Sequence, residues 1–428
     1  MKRIAQTFLI LFCLINTASA QLLISGKVID KATDEPIQFA GVSVKGTSVG
    51  VVTNELGEFD LTIEETMRGD SLMVTILGYE TYTRLISSIN TSKKMLIKMT
   101  EATILLDEVT VESRDLTPKE IVQRAIKRIE DNYPTQKYAL DGFYRDYKKE
   151  DGKYVALLEA AVSVYDKGYS TPSNKFSMKE DVYLHEIRKS KAFKFRGYFA
   201  RNYNIMETLL TQNDVRYVKR SLNTRRNKYK LDNYTIMDGK WVYILKTEGP
   251  WVYTIYIEED TYAVLQIDLQ TAWNDTVKNE WVREEIKYNS ISTTKKVIFR
   301  KYNGLYYLDY VNLDMKMEAF DAVTNKPEFT CEFYQEMVIN KVYAEDLPDP
   351  DKNIRMETNA LLEWQNRPYN EAFWKNYNIL KESPLNAEIL RDLEEKQKLE
   401  DQFVQSGNEP SADPRKKKKR RKQSGDPK

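Results

Sequence analysis

The most constraining feature of the chain is a cadence in residues 21–113, where short runs of alternating apolar and polar side chains are cut by turn residues. Ile24 to Asp30 alternates around Gly26 and Val28. Ala40, Val42 and Val44 share one face, as do Phe59, Leu61 and Ile63, then Leu72, Val74 and Ile76, and finally Ile97 and Met99. A period of two puts every second side chain on the same face of a strand, and short strands of this spacing predict a β-sandwich. Asn54-Glu55-Leu56-Gly57 reads as a turn in which Gly57 accepts positive φ without a Cβ clash.

The run Gly26-x-Val28-x-Asp30, Thr33-x-x-Pro36, Ala40-x-Val42-x-Val44, Gly46-Thr47, Thr53-Asn54-x-x-Gly57-x-Phe59 and Gly78-Tyr79 resembles the carboxypeptidase-D regulatory-like domain. The resemblance implies an immunoglobulin- or transthyretin-like sandwich that is itself non-catalytic. The family usually carries Asp where this chain has Asn54, which weakens any proposal of a cation there. Leu105 to Val111 resembles the segment that trails this sandwich in TonB-dependent outer-membrane receptors, but too little chain follows for their barrel.

Residues 1–20 read as a secretory signal peptide. Lys2 and Arg3 precede an apolar core from Phe8 to Ile15, and Ala18-Ser19-Ala20 gives a small-x-small cleavage site before Gln21. Cys13 follows Phe12, where a lipidation signal wants a small residue. Only Cys331 remains after cleavage, so no intrachain disulfide is expected. Residues 409–428 carry nine basic and three acidic side chains against a formal net charge of +1, so the body is mildly acidic, which argues against nucleic acid as partner. The chain is expected to be exported, in the periplasm or associated with the outer membrane.

Residues 114–343 predict an α+β domain with a large curved antiparallel sheet packed by helices. Thr117-Pro118-Lys119-Glu120 is a capping box with proline at the first helical position, and Ile121, Val122, Ala125, Ile126 and Ile129 follow on one face. Strands are expected at 138–147, 153–165, 241–246, 251–257, 263–271, 281–288, 297–302, 305–317 and 329–342, with hairpin turns at Asp151-Gly152, Asp238-Gly239 and Asn303-Gly304. The strand Trp251–Ile257 is apolar on both faces and is expected in the middle of the sheet. A short helix is expected around Met206–Gln212. This domain resembles the half-barrel of lipoprotein carriers, and its start, with Asp141-Gly-Phe-Tyr-Arg145, resembles the middle of an outer-membrane family of unknown function. Residues 344–404 read as a linker and a C-terminal helical segment, and 405–428 as a disordered basic tail whose Arg415–Lys422 suits an anionic membrane surface.

Trp241, Trp251, Tyr253, Tyr256, Trp273 and Trp281 are the candidate ligand-contact aromatics. Three functions compete. In the leading one the chain is a non-catalytic envelope binding or assembly protein that holds a hydrophobic ligand, a lipid or a lipidated protein partner. In the second, the tryptophans form a carbohydrate-contacting surface. In the third, a hydrolase uses His185, the lone histidine, beside Glu186. Glu258-Glu259-Asp260 and Glu284-Glu285 read as solvated charges. No glycine-rich phosphate loop, cofactor signature or metal-ligand set is present in the sequence.

Overall fold

The computed structural model describes residues 21–102, 116–169, 180–190, 209–218, 220–271, 279–283, 285–356, 361–381 and 384–409. The leader, the segment 105–111, Trp273 and the basic tail lie outside the described residues.

The opening module is a two-sheet sandwich. Its first sheet has the order β4-β1-β7, with β1 at Gln21–Asp30, β4 at Glu58–Glu64 and β7 at Met95–Met99. The second has the order β3-β2-β5-β6, from Gly50–Val52, Gly41–Val44, Ser71–Thr75 and Tyr82–Leu85. The alternating residues meet as expected: Ile24, Val28, Val42, Val44, Phe59, Leu61, Leu72, Val74 and Ile97 form one buried cluster. At Gly57, φ is +72° and a Cβ would lie 2.2 Å from the Val28 carbonyl oxygen, so both backbone conformation and space demand glycine.

Helix α1 (Pro118–Lys127) starts on the expected capping box, in which Thr117 and Glu120 bond each other's backbone amides. A short α2 (Ile129–Asn132) follows. Eleven strands then form one antiparallel sheet. Strands β8 (Tyr138–Glu150), β9 (Lys153–Asp166) and β10 (Asp181–Lys189) make one meander. The second runs through β11 (Tyr229–Met237), β12 (Lys240–Thr247), β13 (Trp251–Glu258), β14 (Val264–Thr271), β16 (Ile286–Tyr302), β17 (Leu305–Asp321) and β18 (Pro327–Tyr343). Strand β15 (Glu280–Arg283) pairs only with β16. The β8–β18 pair joins the two meanders, so β10 and β11, consecutive in sequence, are the opposite edges.

Three readings change. Trp281 and Tyr288 do not share a strand: Glu285 takes φ +68°, a hairpin forms, and the two rings stack across it at 5.8 Å. Val297–Tyr302 is the end of a 17-residue β16 whose polar middle concealed it. Strand β13 is third from the β11 edge rather than central. Tyr253, Ile255 and Ile257 face the core, whereas Val252, Thr254 and Tyr256 are half-buried. Of the helix expected around Met206–Gln212, the described part is a 3₁₀ turn at Leu210–Gln212, followed by a short α3 (Asp214–Tyr217).

Register separates the faces of the sheet. Val311, Met337, Tyr144 and Ala160 lie in one cross-strand row, Tyr310, Val338, Phe143 and Ala161 in the next. The first row faces α1, α2 and the crossover residues Leu209, Leu210, Val215 and Leu222, which together fill that side. The second row faces the sandwich residue Val52 and the C-terminal residues Trp374 and Leu380. The C-terminal segment supplies α4 (Glu371–Asn376), α5 (Pro384–Leu393) and α6 (Leu399–Asn408). Helix α6 runs into the stretch read as tail because Phe403 and Ser406 are buried, and Ser406 Oγ donates to the Lys189 carbonyl at 2.6 Å.

Candidate binding cleft

On the sandwich side of the sheet, strand register lines up four charged side chains. Glu336 on β18 pairs with Arg145 on β8, Arg145 with Glu159 on β9, and Glu159 with Arg188 on β10. Arg145 Nε donates to Glu159 Oε1 at 2.8 Å and Arg188 Nε to Glu159 Oε2 at 2.5 Å. Arg145 Nη1 lies 3.7 Å from Glu336 Oε1, while Glu336 Oε2 accepts from the Tyr310 and Tyr334 hydroxyls, each at 3.0 Å. Burial pushes the Glu159 carboxyl up, but the Arg188 and Arg145 guanidiniums outweigh it and hold Glu159 below the usual carboxylate range. For Glu336 burial wins and its carboxyl is raised. Two guanidiniums therefore share one firmly ionised carboxylate.

The C-terminal segment roofs this row. The Arg188 guanidinium lies 4.5 Å from the Trp374 ring centroid and 5.3 Å from that of Phe403. Between floor and roof is a cavity of about 430 Å³, whose walls include Leu157, Tyr369, Ile389 and Leu399. A second cavity of about 210 Å³ adjoins it, with Arg145 and Ile389 lining both. Two donors in the first cavity lack acceptors among the described residues: the terminal nitrogens of Arg188, bonded only through Nε, and the buried indole N–H of Trp374.

The same segment joins the sandwich to the sheet. The Asn378 amide bonds both backbone groups of Thr62 on β4, accepting at 2.7 Å and donating at 3.0 Å. The Asn378 carbonyl in turn accepts from Asn340 Nδ2 at 2.7 Å. Lys381 Nζ reaches Asp60 at 2.5 Å, and Asn54 Nδ2 donates to the Lys381 carbonyl at 3.2 Å. Asn54 Oδ1 still accepts from Leu56 and Glu58, as an aspartate would. An aspartate at this position has no hydrogen to give Lys381, so the amide has a local reason in this chain.

The structure does bring a hydroxyl and a carboxylate to His185. Ser163 Oγ is 2.6 Å from His185 Nε2 and donates to Asp141, which also accepts from the Tyr343 hydroxyl at 2.9 Å. The order is wrong for a triad, where imidazole stands between acid and hydroxyl. Here the hydroxyl is in the middle and gives its proton to the carboxylate, so Nε2–H donates to Ser163 instead of removing its proton. His185 as a whole is exposed, but partial desolvation of its ring, aided by Arg367, lowers its pKa despite Asp141. Because this is the only histidine, an NMR titration of its ring protons is expected to show one midpoint below the ordinary value of about 6.5. A midpoint above that value would contradict the arrangement.

The candidate aromatics do not form a row. Tyr253 is buried in the main core beside Lys295, and Tyr256 is on the opposite face of β13. Trp241 packs edge-on against Tyr234, Trp281 stacks on Tyr288, and Trp251 is exposed at the far end of β13. Trp273 lies outside the described residues. Glu258, read as a solvated charge, is buried and bonds Lys240 and Tyr306, each at 2.7 Å. Among the described residues no group of three His, Cys, Asp or Glu is placed to hold a metal, and no helix is long and apolar enough to cross a membrane.

A sandwich seated on one face of a large antiparallel sheet and fastened there by the C-terminal segment makes this a mainly β protein of mixed architecture. Its opening module is a carboxypeptidase-regulatory-like domain: residues 24–111 match the family described as CarboxypepD_reg-like domain. The chain is 32% identical over 101 residues to the TonB-dependent receptor SusC of Bacteroides thetaiotaomicron, a match covering 24% of this chain and 9% of the receptor. Similar solved structures include a DUF1329 family protein from Desulfovibrio piger (TM-score 0.25, 10% identity, covering 54% of this chain and 95% of that one). Another is a LolA superfamily protein from Nitrosomonas europaea (TM-score 0.22, 12% identity, covering 55% and 96%).

Proposed function

We propose that the chain is a non-catalytic binding and assembly protein of a Gram-negative cell envelope. The regulatory-like sandwich (residues 21–113) serves as adaptor and the sheet domain (114–343) as ligand holder, with the secretory leader providing export. The basic tail at 415–422 adds contact with anionic lipid. One observation carries the reading: the cavity of about 430 Å³ between the charged row and the aromatic roof, a size ordinary for small-molecule sites. The opposite face of the sheet is filled by the chain's own α1, α2 and crossover, so the hydrophobic ligand belongs on the sandwich side. The scattered tryptophans do not favour a carbohydrate platform, and the inverted order at His185 does not favour a hydrolase.

Expression in a Gram-negative host, followed by fractionation, lipid extraction and capture from envelope extracts, tests this. The expected product begins at Gln21, fractionates with the envelope and retains an acyl-bearing molecule or a protein partner. A cytosolic product carrying nothing, or a hydrolytic activity abolished by His185→Ala, would overturn it.

A further inference from the structure

We infer that the cavity roofed by Trp374 takes a single carboxylate carried on an apolar body, with the carboxylate on Arg188 and the Trp374 N–H and the apolar part along Leu157, Ile389, Leu399 and Phe403. This rests on the binding-protein reading and names its site and ligand class.

The unmet groups decide the polarity of the ligand. Both are donors. Trp374 is 4% exposed and its Nε1 has no acceptor, although a buried indole N–H ordinarily finds one. Arg188 is held at Nε by Glu159 and lies against the Trp374 and Phe403 rings, with its outer fork unengaged. A planar fork of two N–H donors matches the two oxygens of a carboxylate, and the neighbouring N–H adds a third donor. A cationic head would meet only donors there.

Charge limits the ligand to one negative group. Arg145 and Arg188 share Glu159, which leaves the outer fork of Arg188 as the cationic group facing the cavity. Glu371, Glu394 and Glu400 line the helical wall. Lys375 engages Glu371 at 2.5 Å, and Glu394 accepts from the Leu399 amide at 2.8 Å. A dianionic phosphate ester would meet these carboxylates with charge to spare. The remaining walls are apolar, and each buried methylene adds to affinity.

Calorimetric titration of the full chain with decanoate, decanol and decyl phosphate, all below their micellar concentrations, tests the assignment. Decanoate is expected to bind at least about tenfold more tightly than either of the others. Arg188→Lys keeps the charge beside Glu159 but removes the fork, and Trp374→Phe keeps the ring but removes the N–H. Each is expected to weaken decanoate about tenfold and leave decanol unchanged. Trp374→Phe removes buried volume and is expected to melt somewhat below the parent, so unchanged decanol affinity in each variant serves as the check that the cavity is intact. Equal affinity for decanol, tighter binding of decyl phosphate, or unchanged decanoate affinity in Trp374→Phe overturns the inference. Should envelope extracts yield a ligand or partner while decanoate fails to bind, this site assignment falls and the binding-protein reading stands. Decanoate binding by a chain that captures nothing from the envelope has the reverse meaning.

Discussion

Lys295→Met is expected to lower the stability of the folded chain by about 3–5 kcal/mol, the usual cost of removing one partner from a buried ion pair. Lys295 projects from β16 into the crossover packed on the helix side of the sheet. Its side chain and that of Asp214 are both fully buried, with Nζ 3.1 Å from Asp214 Oδ2 and 3.2 Å from the Gln212 carbonyl. Asp214 Oδ2 also accepts from the Ser221 amide at 3.1 Å and its hydroxyl at 2.7 Å. Burial lowers the Lys295 pKa, and Asp214 opposes that shift. With the ammonium gone, Asp214 stays in the core with the two Ser221 donors on Oδ2 and none on Oδ1, and with no counter-charge beside it. Urea denaturation of Lys295→Met, Asp214→Asn and the double variant measures the coupling, and the double variant is expected to recover part of the loss. A single variant as stable as the parent would show that the pair contributes nothing.

Glu159→Gln is the second large effect, again about 3–5 kcal/mol, because the buried Arg145 and the half-buried Arg188 lose their shared counter-charge. It also has a pH signature. The folded state holds Glu159 below the usual carboxylate range. Its contribution is therefore fully present above the unfolded pKa of about 4.3 and is lost as pH falls through the depressed folded value. Glu336, raised by burial, contributes in the opposite sense, favouring the fold at low pH and losing that effect as pH rises through its folded value. Parent and variant share Glu336, so their stability difference isolates Glu159. Denaturant titrations at a series of pH values are expected to show a gap that narrows on acidification. A gap independent of pH would mean that Glu159 is not ionised in the folded chain.

What could be read from the sequence was local. Phe59, Leu61 and Ile63 announce a strand with one buried face. Thr117 and Glu120 announce a helix start, and Asp151-Gly152, Asp238-Gly239 and Asn303-Gly304 announce hairpins that the structure builds with positive φ at both residues. The polar stretch Ser290–Lys296 gave no such sign, because its strand is stabilised by neighbours on both sides rather than by an apolar face of its own. The cleft was hidden for another reason. Arg145, Glu159 and Arg188 meet across three strands of the first meander, and Glu336 joins them only through the β18–β8 pairing, which brings the end of one meander onto the start of the other. A signal did exist: Glu159 stands alone in the apolar run Leu157-Leu158-Glu159-Ala160-Ala161, where a lone carboxylate needs a buried partner. Aromatic density pointed elsewhere because rings serve ordinary cores as readily as binding sites.

The Asn378 amide that closes over Thr62 comes from near the far end of the chain. A ribosome releases Thr62 316 residues before the asparagine that fastens it. Throughout translation the rim of β4 therefore has bare backbone groups, a template for stray pairing with other chains. A chain cut short ahead of residue 378 would leave that rim without its clasp and the sandwich held to the sheet by fewer bonds.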